Sequence, residues 1–136
     1  MKKIYFLIVS FLLITLISFA QKNAVKDKES KWPELTAFHE LMAATFHPAE
    51  KGDLAPLKEK APQLYRAVKM WHASVIPDNY NKKETAETLQ LLLVKCNDIW
   101  AETVAEKSSD KKLLAMIGEA HELFHNIVAV CKKKAE

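Results

Sequence analysis

The chain has 136 residues, of which 49% are hydrophobic and 27% are charged, and its formal net charge is +3 at pH 7. Two of its 20 basic residues, Lys2 and Lys3, lie in the N-terminal segment described next, which leaves 18 basic against 17 acidic residues. A nearly neutral chain has no electrostatic basis for binding nucleic acid or an anionic membrane, so we expect neither as a partner.

The N-terminal residues have the pattern of a secretory signal peptide. "MKK" is a short basic segment, residues 4–17 are an uncharged apolar run, and Ser18 and Ala20 are the small residues that a signal peptidase requires. We therefore predict a signal peptide over residues 1–20, a periplasmic or secreted product, and no stable membrane association after cleavage. An uncleaved N-terminal anchor is the alternative. The polar residues 21–31, "QKNAVKDKESK", are predicted to be a disordered leader.

From residue 32 onward the pattern is helical. The chain has only two glycines, and its apolar residues recur at three- and four-residue spacing. The first predicted helix runs from Pro33 to Phe46, because Pro suits the first turn of a helix. It is expected to stop there because His47 precedes Pro48, which disfavours helical geometry in the residue before it. Its predicted inward residues are Leu35, Phe38, Met42 and Thr45/Phe46.

The second predicted helix starts after Asp53 as its N-cap and contains Pro62, which should kink or split it. It is expected to end before "IPDNYN". Its predicted inward residues are Leu57, Leu64, Val68, Trp71 and Val75.

The third and fourth predicted helices have clear start signals. Asn81 and Glu84 have the spacing of a capping box, and Ser109 is the predicted cap of a helix that runs from Asp110 to Lys132. The inward residues of the third are Leu89, Leu92/Leu93, Cys96 and Ile99/Trp100, and those of the fourth are Leu113/Leu114, Ile117, His121, Phe124, Val128 and Cys131.

Four helices joined by short turns favour an all-α, antiparallel, up-down-up-down four-helix bundle over residues 32–136. In such a bundle Cys96 and Cys131 would lie roughly 16 Å apart along the axis at the helical rise per residue. A disulfide needs Cα atoms within roughly 7 Å, so we expect two free, buried thiols.

The antiparallel pairing of helices in this bundle also brings four histidines to one layer. Antiparallel pairing of the first and fourth helices sets His39 level with His125, and His47 level with His121. Imidazole suits Cu, Zn or Ni, thioether and thiolate add soft ligands, and His at i and i+4 form a two-ligand platform. We predict a transition-metal site in this layer, with these candidate ligands: His39, Met42, His47, Cys96, His121 and His125.

The stretch "HELFH", residues 121–125, also fits the H-E-x-x-H pattern of zinc peptidases. In those enzymes the Glu is a general base and a third metal ligand follows further along the chain. No further His follows His125 here. We therefore expect a metal-binding protein and not an enzyme.

The layout resembles the four-helix-bundle cytochromes, namely the soluble periplasmic b-type bundle cytochrome and the cytochrome c-prime family. Where c-prime proteins have C-x-x-C-H, this chain has "HELFH", with His121 and Phe124 in place of the cysteines, which excludes covalent attachment there. The resemblance implies a second hypothesis for the function: a non-covalent haem b carrier with His125 and either Met42 or His39 as axial ligands. A third is a helical interaction module whose protein partner is unknown.

Overall fold

The computed structural model describes residues 32–133, all of which belong to one compact unit. Four helices follow one another in these residues: α1 Pro33–Glu50, α2 Ala55–Ala73, α3 Lys82–Thr103 and α4 Asp110–His125. A π-helical segment, Asn126–Val130, continues directly from α4. No strand occurs in these four helices or their connections, so the all-α class and the four-helix bundle are confirmed. The predicted signal peptide and leader lie outside the described residues.

Helix α1 is longer than predicted, because it continues through Pro48 to Glu50. Pro48 lies in the last turn, where the loss of one N–H donor removes a single helical hydrogen bond. The helix then closes in a Schellman motif: Gly52, at φ 90°, donates to Ala49 O (2.9 Å), and Asp53 N–H donates to Pro48 O (3.0 Å). The predicted end at Phe46 is therefore wrong, since the stop signal is the glycine and not the proline.

Helix α2 is one continuous helix although it contains Pro62, so the predicted split does not occur. Its N-cap position is Leu54, and the predicted cap residue contributes from one position earlier: Asp53 Oδ1 accepts a hydrogen bond from Ala55 N–H at 3.1 Å. Val75 was predicted to face inward but is 87% exposed, because α2 ends at Ala73 and the backbone then becomes extended.

Both predicted caps of the later helices are confirmed. The Asn81 side chain accepts from Glu84 N–H, and the Ser109 side chain accepts from Lys112 N–H. These bonds satisfy backbone donors that the first turn leaves without a helical partner.

The predicted regular helix to Lys132 is wrong beyond His125, where the backbone widens into the π-helical segment. Its i→i+5 bonding includes Cys131 N–H to Asn126 O at 3.0 Å. The residues after this segment form backbone hydrogen bonds with another part of the chain. Asn81 N–H donates to Cys131 O, and Lys133 N–H donates to Asn79 O, both at 2.8 Å. These two bonds join the residues after the π-helical segment to the residues just before α3.

The core is aromatic at one level and aliphatic elsewhere. The rings of Phe38, Trp71 and Phe124 lie with centroids 5.3–6.1 Å apart, and Trp32 packs edge-on against Trp71 at 5.4 Å. Fully buried aliphatic residues continue this core: Leu57, Leu64, Val68, Leu92, Ile99, Leu113, Ile117 and Ile127. Cys96 and Cys131 are buried free thiols, as predicted.

The stretch Asp110–Val130 is long and apolar enough to cross a membrane by length and composition alone, with a mean hydropathy of 1.2 over an 18-residue window. A mostly buried core helix of a soluble protein passes the same test, and 28% of this window is buried. Here its residues Leu113, Ile117, Phe124 and Ile127 are buried in the bundle.

Candidate metal site

His121 and His125 lie one turn apart near the end of α4, and their rings converge. The two Nε2 atoms are 3.1 Å apart, with ring centroids at 4.4 Å and planes at 86°. Two imidazole ligands of one tetrahedral zinc ion, each about 2.0–2.1 Å from the metal, have nitrogens about 3.3 Å apart. The two Nε2 atoms lie at hydrogen-bond distance from each other, and this distance is also close to the spacing of two ligands of one ion.

Helix α1 fixes the first of these rings. Phe46 stacks on His121 with centroids 3.8 Å apart and planes at 18°. Because Phe46 covers a face of the His121 ring, the edge that carries the nitrogens can contact His125. Thus a half-buried aromatic from a neighbouring helix orients His121, while His125 is exposed.

A second polar pair lies beside the first on α1. His47 Nδ1 is 3.2 Å from Glu50 Oε2, and both side chains are at least half exposed. The His47 ring centroid is 6.5 Å from that of His121. His47 is thus the neighbouring imidazole, but its ring is engaged with Glu50 and does not converge with the α4 pair.

The surroundings of His121 favour its neutral form. Burial lowers the pKa of His121, and the charge of nearby His125 lowers it further, while Glu122 and Glu50 act in the opposite direction. A neutral imidazole has a lone pair that can coordinate a metal ion. The half-buried ring of His121 therefore stays neutral, with its lone pair able to coordinate, at a pH where an ordinary histidine is partly protonated.

The other predicted ligands lie elsewhere. Met42 and Cys96 are fully buried in the core. Burial also raises the pKa of the Cys96 thiol to about 12, so the thiolate that binds metals is not formed at neutral pH. His39 is exposed on α1, where its ring stacks on Phe124 at 5.0 Å and 8°. Across residues 32–133, no three His, Cys, Asp or Glu side chains form a group arranged to hold an ion.

Sequence reasoning missed two features of the site. Glu50 was not singled out, because the first helix was expected to end before it. The stacking of Phe46 on His121 was also missed, since Phe46 was assigned to the inward stripe. No local spacing signals this contact, because Phe46 and His121 belong to different helices.

A groove lies next to the pair on its other side, between α3 and α4. It has a volume of about 860 Å³, and its lining includes His125 and Leu123 of α4 and Asn126 and Ala129 of the π-helical segment. The lining also contains polar and charged residues, namely Gln90, Lys95, Asp98, Glu119 and Glu122. Three further apolar residues of the lining are markedly exposed: Leu91 (59%), Val94 (48%) and Val130 (68%). His125 therefore belongs both to the imidazole pair and to an apolar depression.

Comparison of this chain with known protein families, with curated proteins and with solved structures finds no match.

Proposed function

We propose that this protein binds a divalent transition-metal ion, namely zinc, nickel or copper, through Nε2 of His121 and Nε2 of His125. The observation that carries the proposal is the 3.1 Å separation of these two atoms, with one of the rings oriented by Phe46. The lowered pKa of His121 supports it, because a metal ion competes with protons for the same lone pair.

The choice of ion follows from which ligands are accessible. The soft candidates, the Met42 thioether and the Cys96 thiol, are fully buried, whereas imidazole and carboxylate groups are exposed. Imidazole suits Zn, Ni and Cu(II), while Cu(I) prefers sulfur. Glu50 and Glu122 add negative charge near the pair, which favours a divalent cation. Within residues 32–133, neither His39 nor His47 joins the pair in a group of three ligands.

The proposal includes the up-down-up-down arrangement of the bundle and export of the chain. Ring contacts between α1 and α4 support the arrangement: His39 contacts Phe124, and Phe46, later in α1, contacts His121, earlier in α4. Residue numbers that run in opposite directions across a contact are those of antiparallel helices.

With the signal-peptide pattern of residues 1–20, the metal would be bound in the periplasm or outside the cell, for sequestration, delivery or sensing.

Calorimetric titration with zinc tests the proposal. The chain from Gln21 onward contains the whole compact unit and is the protein to use. The variant His121→Phe with His125→Ala removes both nitrogens but keeps a ring that can stack on Phe46. His72→Ala, at an exposed histidine of α2, is the matched control.

We expect saturable zinc binding by the wild type and by His72→Ala, and loss of that binding in the double variant. Circular dichroism checks that the variants keep their helices. Equal zinc binding by the folded double variant would overturn the assignment.

Haem is the second candidate, and the groove beside His125 favours it, since its volume lies in the range of cofactor sites and its lining includes several apolar residues. Met42 is fully buried, so His125 is the ligand that the groove could offer. Hemin should then give a sharp Soret band that His125→Ala abolishes. A featureless spectrum with the wild type would reject haem and leave the metal-ion proposal in place.

A further inference from the structure

The imidazole pair does not complete a coordination sphere by itself. A zinc ion in a protein is usually tetrahedral and takes four donors, of which His121 and His125 supply two. Within residues 32–133 no third His, Cys, Asp or Glu joins them in a ligand group. The His47 ring contacts Glu50 through Nδ1, and its centroid lies 6.5 Å from that of His121, so His47 does not join the pair. The ion would therefore present open positions to the outside.

The groove beside the pair exposes several apolar side chains, next to the charged residues Lys95, Asp98, Glu119 and Glu122 of its lining. From His125 to Val130, "HNIVAV", the chain carries no Asp, Glu, Lys or Arg. Ala129 and Val130 are exposed, and on α3 so are Leu91 and Val94. The outward face of a helix in a monomeric soluble protein is normally polar, and a contiguous apolar patch commonly marks an interface.

We propose that a second copy of this chain completes the metal site. This inference rests on the proposed function. In a two-fold symmetric dimer each copy presents the same surface, so two His121–His125 pairs supply the four nitrogens of one tetrahedral ion. His125 lies at the edge of the groove, so the same contact covers the apolar residues next to it: Leu91, Val94, Ala129 and Val130.

The charges around the pair make this dimer dependent on metal. Glu122 is exposed between the two histidines in sequence, and Glu50 is close enough to influence the pKa of His121. A two-fold axis at the ion brings these carboxylates near their counterparts in the partner, where like charges oppose association. The divalent ion offsets this repulsion. Without metal the chain is therefore a monomer.

Sedimentation equilibrium combined with zinc titration tests the inference on the chain from Gln21 onward. We expect the monomer mass in EDTA, and twice that mass with zinc, with saturation at one ion per two chains. Val94→Glu with Val130→Glu places charges in the apolar patch without touching the histidines. This variant should still bind zinc but remain monomeric at concentrations where the wild type is dimeric.

The other outcomes separate the two proposals. Saturation at one zinc per chain with an unchanged mass would overturn the shared site and leave metal binding intact. A dimer that forms equally well in EDTA, or in the folded variant His121→Phe with His125→Ala, would show that the metal does not join the two copies. No zinc binding at all would overturn both proposals.

Discussion

At the scale of single residues, the behaviour of His121 is set by its two ring neighbours. Phe46 covers one face of the imidazole and removes water from it, and His125 places a second titratable group against its edge. Both effects disfavour the protonated ring. His125 was identified from sequence as the i+4 partner because that spacing is local. The covering ring could not be identified in the same way, since it comes from another helix.

The lowered pKa of His121 predicts a loss of stability in acid. In the unfolded chain this histidine has the ordinary imidazole pKa of about 6.5, and in the fold its pKa is lower. The unfolded state therefore binds more protons as the pH falls below about 6.5, so the free energy of unfolding decreases there. We expect metal-free protein to lose less stability between pH 7.5 and 5.5 when it carries His121→Gln.

Urea unfolding in EDTA at the two pH values measures this difference. His72→Gln is the control and should lose as much stability as the wild type. Identical losses in the wild type and His121→Gln would contradict the role assigned to burial of this ring.

The two cysteines predict a second result at this scale. Cys96 is fully buried and its thiol has a pKa raised to about 12, while Cys131 is buried beside Thr88 and Asn126. The thiolate is the nucleophile that attacks the disulfide of a thiol reagent, so buried thiols should be protected in the folded protein. We expect Ellman's reagent to react rapidly with two thiols per chain in guanidinium chloride and with none in buffer. Rapid reaction of either thiol in the native protein would contradict the packing described here.

At the scale of the helices, signals within three or four residues of each other could be read from sequence. Asn81 and Ser109 were identified as caps because their acceptors bond to the backbone three residues ahead. The end of α1 and the π-helical segment were not predicted. The first depends on Gly52 adopting a positive φ. The second is followed directly by residues that are hydrogen-bonded to Asn79 and Asn81, about fifty positions earlier in the chain.

The two glycines predict opposite effects of the same substitution. A Cβ at either position meets nothing within 4 Å, so backbone conformation alone decides the result. Gly52→Ala places a side chain at φ 90°, which should lower the free energy of unfolding by about 1–2 kcal/mol. Gly118→Ala lies within α4 and should raise it by about 0.8–1 kcal/mol. Denaturant unfolding of both variants measures this, and changes of the same sign would contradict the closing motif assigned to α1.

At the scale of the whole molecule, sequence spacing identified the bundle and the histidine pair but not which side chains share a surface. Each of the six candidate ligands lies on or beside an inward stripe of its helix. The rotation of each helix then decides whether a side chain enters the core, as Met42 and Cys96 do, or reaches the surface, as His39, His47 and His125 do. That rotation depends on packing against all neighbours at once, and no single helix encodes it.

Metal binding is assigned to two particular nitrogen atoms, and long-range ¹H–¹⁵N spectra of the imidazole rings report on each of them. On addition of zinc to the metal-free protein, we expect the Nε2 resonances of His121 and His125 to shift together, while those of His72 stay unchanged. Nε2 resonances of His121 and His125 that do not move at saturating zinc would contradict the account.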